Sequence, residues 1–148
     1  MQREGVQSGR PVVASGQSDE PGLVARLLAE LGPAAPAAVM VFASPSAGLT
    51  GIAQGLGEGL PGCRVIGCSS AGEFACGGYC NGSVVAIGLP AARFRADAIW
   101  LRNLPGLGVS DWMADLRAQM ARFEPNGRRS RFGLLLIDGL SQQEELVA

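Results

Sequence analysis

The chain has 148 residues and a formal net charge of −1, which suits one domain and offers no basic surface for nucleic acid. Its densest basic cluster, at residues 128–131, is short and lies just before an apolar run, which is typical of a solvated loop. Histidine and lysine are both absent, so the commonest general base, the usual activators of a catalytic serine or cysteine, and the usual zinc and haem ligand are missing. An enzyme that uses this chain alone is therefore disfavoured.

Targeting signals and metal motifs are also missing from the sequence. No apolar run reaches the ~18 residues of a membrane-spanning helix, and no basic-then-apolar leader opens the chain, so we expect no membrane span and a cytoplasmic location. The cysteines are spaced C-x4-C-x7-C-x3-C, without the C-x2-C pairs of structural zinc sites. This spacing predicts small buried thiols with no metal or cofactor, and a metal or redox role is the alternative. The four positions are Cys63, Cys68, Cys76 and Cys80.

The first third of the chain predicts a strand and an amphipathic helix. Residues 1–10 are polar and read as a flexible lead-in, and the domain itself is predicted over 11–148, with a short strand at 12–15. Asp19 is the expected helix cap, with Pro21 in the first turn and Gly32 at the end. The apolar face of this helix comprises Leu23, Val24, Leu27, Leu28 and Leu31.

The next segment predicts a strand-helix-strand unit. Residues 38–43 and 64–69 are continuous apolar runs, as in strands covered on both faces, and a glycine-weakened helix ending at Leu60 connects them. A connection of this length implies a right-handed crossover between parallel strands. The glycines at four-residue spacing, 51, 55 and 59, are expected to let the helix approach the sheet closely.

The remainder predicts further strands and helices. After a glycine-rich loop at 71–82, strands at 83–89 and 94–101 are expected to pair as a hairpin through 90–93. Ser110 is the expected cap of a helix, and 132–137 is an expected buried strand before a helix that begins at Ser141. The apolar stripe of the capped helix comprises Trp112, Met113, Leu116, Met120 and Phe123. We therefore predict an α/β fold with a mixed, largely buried sheet and helices on both faces, incomplete at the C-terminus.

Small and hydroxylated residues mark one strand end as a candidate binding site. Gly67–Glu73 reads GCSSAGE and follows a buried strand, at the end where open α/β sheets bind ligands. The hydroxyls of Ser69 and Ser70, with the backbone amides of 69–72 if these form a nest, would hold a carboxylate or another small anion. Glu73 would bind an ammonium. The alternative is a tight strand exit whose serines satisfy local backbone groups.

Residues at other strand ends are candidates for the same crevice. Ser44 and Ser46 follow the strand 38–43, and Asp138 follows the strand 132–137, although Asp-Gly is also ordinary turn chemistry. Cys68 has no histidine or lysine to activate it, so a cysteine-dependent enzyme or redox protein is kept only as the alternative function. The predicted ligand-binding residues are Ser44, Ser46, Cys68, Ser69, Ser70, Ala71, Gly72, Glu73 and Asp138.

Several segments together resemble FIST N-terminal domains. The most specific is Val65–Glu73, VIGCSSAGE, and the others follow in the same order along the chain. They are Phe42–Ser44, Gly82–Ile87 and Leu134–Leu140. The resemblance covers roughly residues 12 to 148 and carries Ser70 where relatives often have threonine, which keeps a hydroxyl group.

This resemblance implies a signal-input module of bacterial signal transduction that senses a small ligand, such as an amino acid or another small anion. It further implies a FIST C-terminal domain and a signalling output partner as companions. Some relatives are described as haem-binding nitric oxide sensors; with no histidine here, only a cysteine such as Cys68 remains as a haem ligand. A haem sensor is therefore the third hypothesis.

Overall fold

The computed structural model describes residues 9–75, 78–100, 109–122 and 130–137. The chain divides into two compact units, Met1–Ala96 and Asp97–Ala148, each of which is described by itself. The strands of the first unit are β1 Val12–Gln17, β2 Pro36–Ala43, β3 Arg64–Ser69, β4 Glu73–Ala75, β5 Gly78–Cys80 and β6 Ser83–Pro90. The helices of the described residues are α1 Leu23–Leu31, α2 Leu49–Gly59 and, in the second unit, α3 Val109–Arg122.

A mixed four-stranded sheet is the centre of the first unit. Its strand order is β1-β6-β2-β3, with β2 and β3 parallel and the other two pairs antiparallel. The predicted strand-helix-strand unit is present, since α2 connects the parallel strands. The α/β class and the mixed sheet are thus confirmed.

Both helices of the first unit pack on one face of this sheet. Successive strand residues point to opposite faces, and the face that includes Val39, Val41 and Ala43 is fully buried against α1 and α2. The helical contributors are Leu23, Leu27, Leu31, Ile52 and Leu56. Phe42, Val85 and Ile87 therefore lie on the other face, and Phe42 and Ile87 are only half-buried.

The predicted start of α1 was wrong. Gly22 occupies the N-cap position with φ 78°, a left-handed conformation that a right-handed helix cannot include, so Asp19 and Pro21 lie outside the helix. Asp19 lies instead in a turn in which the Glu20 N–H donates to the Gln17 carbonyl at 3.1 Å, and Pro21 lies in the next turn, in which the Leu23 N–H donates to the Glu20 carbonyl at 3.2 Å. The Glu20 side chain is ion-paired with Arg26 at 2.7 Å, which ties this turn to α1.

Gly55 and Gly59 of α2 face α1 rather than the sheet, contrary to the prediction, and a Cβ on Gly51 would have nothing within 4 Å. A Cβ on Gly55 would lie 2.8 Å from a Val24 methyl, and one on Gly59 would lie 2.5 Å from Leu28. The glycine nearest both a neighbouring strand and α2 is Gly67 of β3, where a Cβ would lie 2.6 Å from the Val41 carbonyl oxygen of β2 and 3.4 Å from the Leu49 side chain of α2.

The predicted hairpin between 83–89 and 94–101 was wrong. β6 lies inside the sheet and is hydrogen-bonded to β1 on one side and to β2 on the other, so neither of its edges is free for a further strand. Residues 94–100 are irregular. A short hairpin occurs where the sequence predicted only a loop, between β4 and β5.

In the second unit, α3 begins at Val109, one residue before the predicted cap Ser110. Trp112 is buried, whereas Met120 of the predicted apolar stripe is 47% exposed and Phe123 lies outside the described residues. The predicted buried strand at 132–137 was wrong: these residues pair with no strand of the described ranges, and Phe132 is 71% exposed. An apolar run alone does not make a strand, because the hydrogen bonds of a sheet need a neighbouring strand.

Within the described ranges, no helix has the length and apolar character to cross a membrane.

Candidate functional site

Four chain segments meet at one end of the sheet. The parallel strands β2 and β3 both finish there, and the antiparallel strand β6 begins there, because Ala43 pairs with both Ser69 and Val84. The residues next to these strand ends are Ser44, Ser70 and Ser83, and Glu73 follows at the start of β4. The topology therefore collects three hydroxyls around one carboxyl group.

Glu73 is the centre of this cluster and is 3% exposed. The Ser70 hydroxyl donates to Oε1 at 2.6 Å, while those of Ser44 and Ser83 donate to Oε2 at 3.1 and 2.8 Å. Within the ranges that the structure describes, no arginine forms an ion pair with this carboxylate. Hydroxyl dipoles, not a cation, stabilise the buried group.

The protonation state of Glu73 follows from two opposing effects. Burial by itself raises the pKa of a carboxyl group, but the hydrogen bonds from Ser70, Ser83 and Ser44 outweigh it and hold the pKa of Glu73 below its ordinary value. The main-chain N–H of Ser83 acts in the same direction. Glu73 is therefore an ionised, buried acid at neutral pH.

Ser44 connects the cluster to the strands around it. Its hydroxyl accepts from the Gly82 N–H at 2.8 Å and donates to Glu73, and its own N–H donates to the Ser83 carbonyl at 3.0 Å. Gly82 has φ 70°, a conformation that favours glycine at this turn. One buried serine thus fixes the end of β2, the start of β6 and the acid between them.

The backbone at 69–72 does not form the predicted anion-binding nest. A nest needs alternating right- and left-handed residues, and none of these four residues has a positive φ. The Ser70 N–H is already bonded to the Ala43 carbonyl at 2.9 Å, which extends the pairing of β2 with β3. The hydroxyl of Ser70 is directed to Glu73.

A small open pocket lies beside the cluster. Its volume is about 210 Å³, and its walls combine the uncovered sheet face with the loop that carries the acid. The lining residues are Phe42, Ser70, Gly72, Glu73, Val85 and Ile87. Tyr79 closes one side of the loop, because its hydroxyl donates to the Ala71 carbonyl at 3.1 Å and its ring leaves no room for a Cβ on Gly72.

The structure brings some of the predicted site residues together and separates others. Ser44, Ser70 and Glu73 are hydrogen-bonded in one cluster, and Gly72 lines the pocket beside it. Ser46, Ser69 and Ala71 are exposed near the same strand ends. Asp138 lies outside the described residues.

Cys68 lies in β3, opposite Phe42, and burial raises the pKa of its thiol. A raised pKa reduces the thiolate fraction, which is the reverse of what a nucleophilic cysteine needs. Cys63, Cys68 and Cys80 are free thiols. Within the described ranges, no group of three cysteine or acidic side chains is arranged to hold a metal ion.

Ser83 belongs to the cluster but was missed from the sequence. The segment was recognised as a strand, yet its expected partner was 94–101, and that pairing places its first residue away from Ser44. Ser83 could have been identified from its position in its strand, because the first residue of a strand antiparallel to β2 lies beside the last residue of β2.

Fold and site together define an α/β domain with a buried acid and a small pocket at the ends of its parallel strands. The model of the FIST N domain family matches residues 37–148, more than half of the chain. The chain belongs to the FIST N domain family, whose members are sensory domains in signal transduction. Comparison with curated proteins and with solved structures finds no match.

Proposed function

We propose that this domain is a non-enzymatic signal-input module that binds a small amine-bearing ligand, such as an amino acid, in the pocket beside Glu73. The observation that supports it is the ionised carboxylate of Glu73, which lines the pocket and has no cationic partner among the described residues. A buried charge without an opposite charge is costly, so a ligand ammonium is the complement this site favours.

The hydrogen bonds leave room for such a ligand. A carboxylate offers about four acceptor positions, and Oε1 of Glu73 accepts one side-chain hydrogen bond, from Ser70. The apolar walls formed by Phe42, Val85 and Ile87 suit an aliphatic portion. A ligand with only negative charge would be repelled by Glu73, which favours an amino acid over a simple small anion within the predicted ligand class.

Binding would be transmitted through Ser44, which holds two strand ends and the acid at once. We expect the receiving partner to be a FIST C-terminal domain and a signalling output partner in a bacterial cytoplasm. The raised pKa of Cys68 favours this reading over a cysteine-dependent activity.

Thermal-shift screening of the full chain against the common amino acids and small amines tests the proposal. Each hit is compared with its deaminated acid, for example valine with isovalerate. We expect the amine-bearing compound to stabilise the protein, by about 2.7 kcal/mol at a hundredfold excess over Kd, and the deaminated acid to have no effect.

The neighbouring serines supply a matched pair of variants. Ser70→Ala removes a donor from Glu73 and should weaken binding, whereas Ser69→Ala, one residue away and exposed, should not. The proposal is wrong if no amine-bearing compound raises Tm, if the deaminated acid acts equally, or if both variants bind alike.

A further inference from the structure

The pocket beside Glu73 combines one negative charge with apolar walls. Glu73 is the only charged side chain among the described residues that line it. The apolar lining side chains are Phe42, Val85 and Ile87. The volume of the pocket, about 210 Å³, is below the ~300–1,000 Å³ of sites for drug-sized molecules. A pocket of this composition and size matches a small ligand with one positive charge and an apolar body.

The side-chain hydrogen-bond donor of this pocket is already used. Ser70 has the only hydroxyl group among the described lining residues, and it donates its single proton to Oε1 of Glu73 at 2.6 Å. The Ser70 N–H donates to the Ala43 carbonyl. The other two hydroxyls of the cluster, from Ser44 and Ser83, donate to Oε2. Among the described lining residues, no side-chain donor is therefore left for a carboxylate of the ligand.

The covalent geometry of an α-amino acid makes this shortage of donors costly. If its ammonium group lies ~2.8 Å from Glu73, its carboxylate lies within about 6 Å of the Glu73 carboxylate, because both ligand groups are attached to one carbon atom. Two carboxylates would then share a small pocket with a single ammonium group, and like charges at this distance repel each other. An amine without a carboxylate forms a neutral ion pair with Glu73 instead.

We propose that the preferred ligand of this pocket is a small apolar monoamine without a carboxylate, with its ammonium group on Glu73 and its apolar body against Phe42 and Ile87. This ligand class rests on the proposed function and narrows it from amine-bearing compounds in general to monoamines. An α-amino acid is then a weaker ligand of the same pocket.

Four compounds that share an isopropyl group test this ligand class. Isobutylamine has the amine alone, valine adds a carboxylate, valinamide replaces that carboxylate with an uncharged amide of similar shape, and isovalerate has the carboxylate alone. Titration calorimetry of the full chain gives the Kd of each compound in phosphate buffer at about pH 6.5, where all three amino groups are protonated. We expect isobutylamine and valinamide to bind at least about tenfold more tightly than valine, and isovalerate not to bind.

A cation placed in the pocket wall should remove this preference. Ile87→Arg introduces a guanidinium group into the wall and should make valine bind at least as tightly as isobutylamine, because arginine pairs well with a carboxylate. Ile66→Arg is the matched control: Ile66 is also half-buried on the uncovered sheet face but is not among the described lining residues. This control should keep the preference of the unaltered protein. Melting curves establish that both variants are folded.

The results distinguish a failure of this ligand class from a failure of the proposed function. If valine binds as tightly as valinamide, the monoamine class is wrong and the amine site stands. If none of the three amines binds, or if isovalerate binds as tightly as isobutylamine, the proposed function is wrong and the monoamine class with it. An unchanged preference in folded Ile87→Arg would also overturn the charge-based discrimination against valine. If that variant does not fold, the four compounds decide the question on the unaltered protein.

Discussion

The Glu73 carboxylate is balanced by neighbours that carry no formal charge. Three serine hydroxyls donate to it, from three separate segments of the chain, and together they keep its pKa low despite burial. Because each hydroxyl belongs to a different strand end, the acid couples the positions of all three. The carboxylate therefore stabilises the folded state and carries the candidate site at once.

Glu73→Gln is expected to destabilise the protein by about 2 to 3 kcal/mol at neutral pH, since hydrogen bonds to a charged group are lost. The folded-state pKa is lower than the unfolded value, close to 4.5, so the ionised carboxylate contributes its full stability above that value. The contribution declines as the pH falls from 4.5 through the folded-state pKa. Urea unfolding of the two proteins at a series of pH values measures the difference.

Glu58→Gln is the control for this series. Glu58 lies on the exposed side of α2 and accepts a hydrogen bond from the Gln54 side chain. We expect its replacement to change stability by less than about 0.5 kcal/mol. A stability difference for Glu73→Gln that stays constant down to low pH would contradict the ionised state assigned to Glu73.

Ser44→Ala should destabilise more than Ser46→Ala. Ser44 is buried, and its loss removes a donor from Glu73 and leaves the Gly82 N–H without a partner, at a cost of about 1 to 3 kcal/mol. Ser46 is exposed, so Ser46→Ala should change the free energy of unfolding by less than about 0.5 kcal/mol. Calorimetric Tm values test this, and equal shifts would show that the Ser44 hydrogen bonds do not contribute.

The sequence indicated where the site lies, but it did not indicate which residues of the site are in contact. Small and hydroxylated residues after apolar runs located Ser44, Ser70 and Glu73, because strand ends can be read from local patterns. The bond from each serine to the acid could not be predicted, since it depends on which strands are neighbours. Ser83 was missed for the same reason.

At the scale of elements, Gly67 allows β2, β3 and α2 to pack closely. The φ of Gly67 is not in the left-handed region, so glycine is needed here because a side chain has no space. A Cβ would lie 2.6 Å from the Val41 carbonyl oxygen and 3.4 Å from the Leu49 side chain. Backbone atoms of a paired strand cannot move aside as a side chain can. Gly67 is therefore the least replaceable glycine of the strand-helix-strand unit.

Gly67→Ala is expected to destabilise the protein by about 1 to 3 kcal/mol through overpacking. Gly57→Ala is the opposite case: a Cβ there meets nothing within 4 Å, and alanine favours the helix, so we expect about 0.5 to 1 kcal/mol of stabilisation. Chemical unfolding of both variants measures the effects. Changes of the same sign would contradict the difference in space around the two glycines.

Elements with strong local patterns were predicted well, and elements defined by pairing were not. The strands at 38–43 and 64–69 were found because continuous apolar runs mark buried strands, and α1 because its leucines recur at helical spacing. The alternating pattern at 94–101 and the apolar run at 132–137 suggested strands, but the described residues of both segments, 94–100 and 132–137, are irregular. A strand requires a neighbour, and local pattern does not specify it.

At the scale of the whole sheet, β6 and β2 are the interior strands and β1 and β3 the edges. Interior strands are hydrogen-bonded on both sides and open only when the sheet separates. We expect amide hydrogens of Val84–Gly88 to exchange at least about tenfold more slowly than those of Val65–Ser69, or about 1.4 kcal/mol in opening free energy. Hydrogen-exchange mass spectrometry resolves these segments.

The same measurement checks the corrected pairing of β6. Residues 94–100 are irregular and should exchange rapidly. Protection there comparable to that of β6 would restore the hairpin that the sequence suggested and would contradict the strand order.

The first and last strands of the sheet are neighbours, and Val12 lies beside Gly88. The chain thus enters the sheet through β1 and leaves it through β6 at the same end, the end remote from Glu73. Both connections of this sheet to the rest of the chain therefore lie away from the strand ends that hold Glu73.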